Sequence, residues 1–207
     1  MKLLSEPISI IRRHRRAYFL LNAAFYGLFV LAMALTLLAP ELQGYFKPDI
    51  DQAYLKPGIL RSVADAYASR NIVLAVGLTF AVNLPVAVFM TTVPSLIIPF
   101  IGILAVLQRG ILWGIMFAPI GPHPAMLIPH SLTLFIEGQA YVLAGFAAYV
   151  HGRTFLRFDR YRLSSSWEAY KAGVVSTVRI YAAVIAALLV GATYEVFEAI
   201  YIIPRLL

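Results

Sequence analysis

The chain has 207 residues, 61% of them apolar and 13% charged, with a net charge of +7 and a mean hydropathy of +0.80. A soluble domain carries about 25% charged residues because its surface faces water, so the composition argues for one membrane domain with no soluble domain beside it. No cysteine is present, which excludes disulfides, thiolate nucleophiles and Cys-ligated metals.

A bilayer core of ~30 Å needs about 20 apolar residues per helix. The first run, 18–38, follows Arg12, Arg13, Arg15 and Arg16 and is closed by Pro40. It is longer than the core of a secretory signal, and further apolar runs follow it. An uncleaved signal anchor is therefore expected, although Ala32 and Ala34 form a small-x-small pattern. Residues 39–70 hold four acidic and four basic residues, with Pro48, Pro57 and Gly58 as breakers. Within them Leu60, Val63, Ala64 and Tyr67 recur at helical spacing, which predicts a short interfacial helix. From Asn71 to Ala118 the only formal charge is Arg109. That stretch divides into spans at 71–90 and 97–118, with Pro94 and Pro99 marking the break and the turn expected around 91–95. Gly121-Pro122-His123-Pro124 ends this hairpin. A fourth span is expected at 127–149 and a fifth at 174–203, with Pro204 as the stop signal.

Orientation follows from the basic blocks. The first 16 residues carry five Lys/Arg against one acid, and 151–171 carry Arg153, Arg157, Arg160, Arg162 and Lys171 against Asp159 and Glu168. Positive blocks stay in the cytoplasm. The chain reads as an all-α polytopic membrane helix bundle of five spans, with its N-terminus inside and its C-terminus outside. Phe155, Phe158, Tyr161, Trp167 and Tyr170 are interleaved with the second basic block. Arg153, Arg157, Arg160, Arg162 and Trp167 are thus expected to contact lipid headgroups or a protein partner rather than nucleic acid.

Ionisable groups inside spans are costly and mark candidate sites. At 1.5 Å per residue, Arg109, Glu137 and Glu195 lie ~14, ~15 and ~12 Å from the outer ends of their spans. Arg109 and Glu137 are expected to pair, with Glu195 close enough to join them and Glu198 one turn shallower. Gln108 and His130 complete the expected polar cluster. A structural clamp, an ion or proton route and a partner-binding site all remain open. His123 and His130 with Glu137 offer metal-ligating types, but their Pro-rich setting reads as a helix start, so neither metal nor cofactor is expected. His14 and His151 read as solvated members of the basic blocks.

Small residues recur every fourth position: Gly110, Gly114 and Ala118, then Ala140, Ala144 and Ala148, then Ala183, Ala187 and Gly191. Such stripes let helices pack closely in lipid, within a bundle or between copies of the chain. No phosphate-binding loop, dinucleotide fingerprint, nucleophile elbow or His-Glu-x-x-His occurs, and enzymatic activity is not expected.

The segment Leu127-Ile128-Pro129-His130-Ser131, running through Glu137-Gly138-Gln139-Ala140 to Gly152, resembles the stage II sporulation protein M family. That family carries a Pro-His-Gly element followed by Glu and a small-residue span closing on glycine. Further echoes are Asn71-Ile72, Gln108-Arg109-Gly110 and Phe197-Glu198-Ala199 before Pro204, so the likeness covers about residues 15–205. Two departures stand out: Ser131 replaces the glycine, and Glu137 follows His130 by seven positions instead of four. Seven residues still return to nearly the same helical face. The resemblance implies a five-span bundle in the cytoplasmic membrane of a bacterium or archaeon, acting as a scaffold for other membrane subunits. The expected function is accordingly a noncatalytic scaffold or accessory subunit. The alternative is a small transporter, channel or permease-like subunit with an Arg/Glu site, for which Asn22 and Asn83 are the only obvious polar additions.

Overall fold

A computed structural model describes residues 2–121 and 124–206, and every regular element among them is helical. The helices are α1 (Lys2–Arg13), α2 (Arg15–Leu38), α3 (Glu41–Leu55), α4 (Ile59–Ala68), α5 (Ile72–Pro85), α6 (Val93–Ile97), α7 (Ile101–Met116), α8 (Leu127–Leu156) and α9 (Ser166–Phe197). Four helical stretches are long and apolar enough to cross a membrane: Arg15–Leu38, Ile72–Ile97, Pro124–Leu156 and Ser166–Arg205. Helix α7 is apolar but has 16 residues, or ~24 Å at 1.5 Å per residue. The protein is membrane-embedded by this construction, and its exposed large side chains agree: Leu20, Leu38, Val73 and Ile97 stand 69, 83, 85 and 78% exposed. Such apolar exposure over whole helices is a surface for lipid.

Helix α8 is the central post. Of its most apolar 18-residue stretch 72% is buried, against 17–28% in the other three. Ala140, Ala144 and Ala148 are at most 1% exposed, so small side chains on α8 let neighbours approach from several sides. Between helices in lipid there is no water to expel, and close shape fit and hydrogen bonds hold the bundle instead.

The glycines of α7 show how close that approach is. A Cβ at Gly110 would lie 2.9 Å from the carbonyl oxygen of Phe25, and one at Gly114 would collide with that of Phe29. Positions 110 and 114 thus meet 25 and 29, so α2 and α7 run parallel. Helix α8 runs opposite to α2, since Tyr18 and Asn22 bond Gln139 while Tyr26 bonds the Phe135 carbonyl. Helix α9 runs opposite to α8, with Gly191 against Glu137 and Gly173 against His151. The end of the bundle where α2 and α7 finish and α5 and α8 begin is called the upper end below.

Several boundaries differ from the sequence reading. The hairpin turn lies at 98–100, not around 91–95. A π-helical stretch, Val86–Thr92, carries the chain on, and Pro94 sits in the first turn of α6, where a missing N–H costs nothing. The turn is held by Phe100 in the left-handed region (φ 71°) and by Ser95 Oγ, which accepts from the Gly102 N–H at 2.8 Å. A Cβ at Gly102 would collide with the Thr91 carbonyl oxygen.

The 39–70 segment is two helices. The expected interfacial helix is α4, burying Val63 and Ala66, while α3 continues through position 48 and stops before Pro57-Gly58. Gln43 on α3 donates to the Met116 carbonyl at 2.9 Å, closing off carbonyls that the end of α7 leaves unpaired. Helix α1, absent from the sequence reading, lies along the lower part of α9, where Glu6 pairs with Arg179 at 3.2 Å.

The aromatic-basic block is also more helical than expected, because α8 extends to Leu156 and α9 starts at Ser166. Ser165 caps α9 by accepting from the Glu168 N–H, and Glu168 reaches back to the Ser164 N–H at 2.8 Å. Arg157, Arg160 and Arg162 are exposed, as is Trp167, which stacks on Tyr170 at 5.6 Å. Arg153 instead donates to the Tyr149 hydroxyl at 2.6 Å.

His151 is buried and His14 half-buried, where both were expected to be solvated. His151 is 1% exposed and packs on Phe155 and Tyr170. His14 meets Phe146 and Tyr149 edge-on, and burial, with Arg153 and Arg13 close by, holds it below the ordinary imidazole pKa.

Candidate functional site

The upper half of the bundle holds a cavity of about 160 Å³, lined from six helices. Helix α8 supplies His130, Thr133 and Glu137, with Tyr141 one turn below the cavity; steps of three and four residues keep them on one face. Helix α7 supplies Arg109, Trp113 and Phe117, again four apart. Helix α5 adds Thr79 and Asn83, α9 adds Glu195, and Tyr54 and Val63 of α3 and α4 lie over the upper side.

Glu137 is 6% exposed and accepts a hydrogen bond from Asn83 Nδ2 at 3.0 Å. Tyr141, fully buried, donates to Asn83 Oδ1 at 2.8 Å. One amide thus links the carboxylate on α8 to the phenol one turn below it. The Arg109 guanidinium carbon lies 4.0 Å from the Tyr141 ring centroid and 5.3 Å from that of Trp113, and the two rings meet edge-on at 5.6 Å. An aromatic box of this kind attracts a cation through the ring quadrupoles.

The expected direct Arg109–Glu137 ion pair is not formed: among the described residues Arg109 has no carboxylate within 4.0 Å. The rings of Tyr141 and Trp113 hold the guanidinium, while Asn83 occupies one oxygen of Glu137. Both side chains line the same cavity. The depth match still holds in its coarser form, since Arg109, Glu137 and Glu195 line one space.

Glu198, expected one turn above Glu195, joins the cluster through His130 and is not itself on the cavity wall. It opens a π-helical turn, Glu198–Ile202, is completely buried, and is bonded to His130 Nδ1. His130 also packs on Phe117 at 4.8 Å between ring centroids. His130 and Phe117 border both the charged cavity and a second one of about 280 Å³ above it, which Gln43, Lys47, Met126 and Ile203 help line. Gln108 does not belong to the cluster: it is exposed, because the 100° step of a helix turns it away when Arg109 points inward. His123 lies outside the described residues, and among those described no cluster of His, Asp and Glu could hold a metal ion.

Polar atoms in or beside this region are left without partners among the described residues. These are Arg109 Nε, Thr133 Oγ1 and Glu198 Oε2. Thr133 is 1% exposed. Asn83 was legible as a polar residue inside a span; Tyr141, Trp113 and Thr133 were not, since such residues are common in these helices. Gly191 was legible as a packing position only. A Cβ there would lie 2.8 Å from Glu137 Cγ, so its missing side chain is what admits the glutamate between α8 and α9.

Below the cavity the centre is apolar: Val106, Ala144, Ile180, Val184 and Leu188 are at most 1% exposed. A separate polar cluster joins α2 to α8, where Gln139 accepts from the Tyr18 hydroxyl at 2.8 Å and donates to Asn22 at 2.7 Å and Tyr26 at 2.9 Å. Comparison of the chain with protein-family models, curated proteins and solved structures finds no match.

Proposed function

We propose that this protein is a five-span noncatalytic accessory subunit of a larger membrane complex, with α7 as the fifth span, the N-terminus inside and the C-terminus outside. The upper end is then the outer one. The alternation of α2, α5–α6, α7, α8 and α9 supports that count, because a chain that reverses at each connection needs α7 to cross as well. The basic residues near the lower end, Arg12, Arg13, Arg157, Arg160 and Arg162, support the orientation.

The observation that carries the accessory reading is the one-sidedness of the polar cavity. Arg109, His130, Glu137 and Glu195 converge in the upper half, while the buried polar residues of the lower half (Thr91, Thr92, Ser95, His151, Thr154 and Thr177) include no carboxylate and no guanidinium. A carrier needs polar groups along a route across the bilayer; a docking or sensing subunit needs them at one depth only. Kinship with the stage II sporulation protein M family is part of the proposal. Two segments of that resemblance, 127–131 and 197–199, meet through His130 and Glu198.

A second reading, a small transporter with an Arg/Glu site, draws on the unpartnered Arg109 and Thr133 atoms. Reconstitution of the purified chain in liposomes separates the two. The accessory reading expects no proton or ion flux above empty vesicles; sustained flux lost in Glu137→Gln would overturn it.

A further inference from the structure

We propose that the charged cavity is a binding site for a small primary-ammonium group with an oxygen acceptor two or three bonds away, the chemistry of an amino alcohol. The inference is independent of the accessory role, since either a subunit or a carrier can hold such a ligand.

The argument starts from charge. Glu137 and Glu195 line the cavity, and among the described residues Arg109 supplies its one permanent positive charge. Glu198 is set apart by its bond to His130. Two carboxylates against one guanidinium leave the lining with one acidic group in excess, which a bound cation can balance in place of a proton. An ammonium suits it better than a bare metal ion. Its three N–H donors match the Glu137 oxygen left free by Asn83, the Glu195 carboxylate and the Thr133 hydroxyl.

The second requirement comes from Arg109. Arg109 Nε is a buried donor without a partner, and a ligand that was only a cation would leave it so. A hydroxyl or ester oxygen on the same ligand accepts from it. Thr133 is the independent sign of a ligand: its side chain is 1% exposed, unpartnered, and on the cavity wall. Helical Ser and Thr commonly bond the carbonyl four residues back, as Thr36 and Thr154 do in this protein. Thr133 does not. The volume of about 160 Å³ admits a molecule of a few heavy atoms. Free ethanolamine and the ethanolamine headgroup of a phospholipid share this chemistry.

The test is thermal unfolding of the full chain in detergent, at fixed pH and ionic strength, with ethanolamine, sodium chloride or ethanol as probe. A saturable rise in Tm with ethanolamine alone supports the proposal. Glu137→Gln and the half-buried Glu195→Gln are each expected to weaken that response at least about tenfold, because each removes a charge-assisted hydrogen bond. Gln108→Ala, outside the cavity, is expected to leave it unchanged. If Glu137→Gln does not fold, Glu195→Gln decides. Retention of phosphatidylethanolamine over phosphatidylcholine in native mass spectra, lost in Glu195→Gln, supports the same site with the headgroup as source. Equal responses to sodium and ethanolamine, no response with no retained lipid, or a response indifferent to both glutamates overturns the proposal.

Discussion

Gly191 on α9 stands against Glu137 on α8 so closely that a Cβ at position 191 would fall 2.8 Å from the glutamate Cγ. The small-residue stripe of α9 therefore does more than bring two helices together, since it leaves the space in which a carboxylate can sit at their interface. Gly191→Ala is expected to lower stability by roughly 1–3 kcal/mol, the usual range for overpacking a filled interior. Thermal unfolding in detergent checks this. In the double variant Gly191→Ala/Glu137→Ala the two losses are expected not to add, because the colliding atom is gone.

The contact of α7 with α2 depends on Gly114 in the same way, through the Phe29 carbonyl and the Ala32 side chain. Gly114→Val is expected to destabilise more than Gly191→Ala, because the obstacle is backbone, which cannot swing aside. Gly27→Val serves as the control, since nothing lies within 4 Å of a Cβ there. Similar losses at 114 and 27, read by Tm, would count against the parallel α2–α7 packing.

How much of this was legible beforehand differs by level. Long apolar runs and the basic blocks gave the helical membrane bundle, because lipid permits few other solutions. The turn falls at 98–100 because Pro94 does not stop the helix: a π-helical stretch followed by Pro94 in a first turn lets it continue. Arg109, Glu137 and Glu195, expected at similar depth, line one cavity. Depth alone does not say what each group touches: Tyr141 and Trp113 hold Arg109, and Asn83 holds Glu137. Helix α1 is hard to see in the sequence because its arginines mark topology as strongly as its Ile10 and Ile11 mark a face that packs on the core.

Tyr141 has two separable roles. Tyr141→Phe keeps the ring under Arg109 but removes the hydrogen bond to Asn83, and is expected to cost about 0.5–1.5 kcal/mol. Tyr141→Leu loses the ring as well and is expected to cost more. Equal Tm losses for both variants would show that the ring contributes nothing to holding Arg109.

The topology gives a third kind of expectation. The chain has no cysteine, so single cysteines placed at Ser5 and Leu207 report cleanly. An impermeant thiol reagent applied to intact cells is expected to label Leu207→Cys and spare Ser5→Cys. The opposite pattern reverses the orientation, and labelling at both positions requires an even number of spans.

The most direct test of the accessory role is the composition of the particle in which the protein leaves its own membrane. Gentle detergent extraction followed by mass spectrometry of the co-purifying chains is expected to return a second membrane protein in constant ratio to this one, whatever the preparation. A lone, monodisperse chain that also carries substrate or ion flux when placed in liposomes would contradict the account.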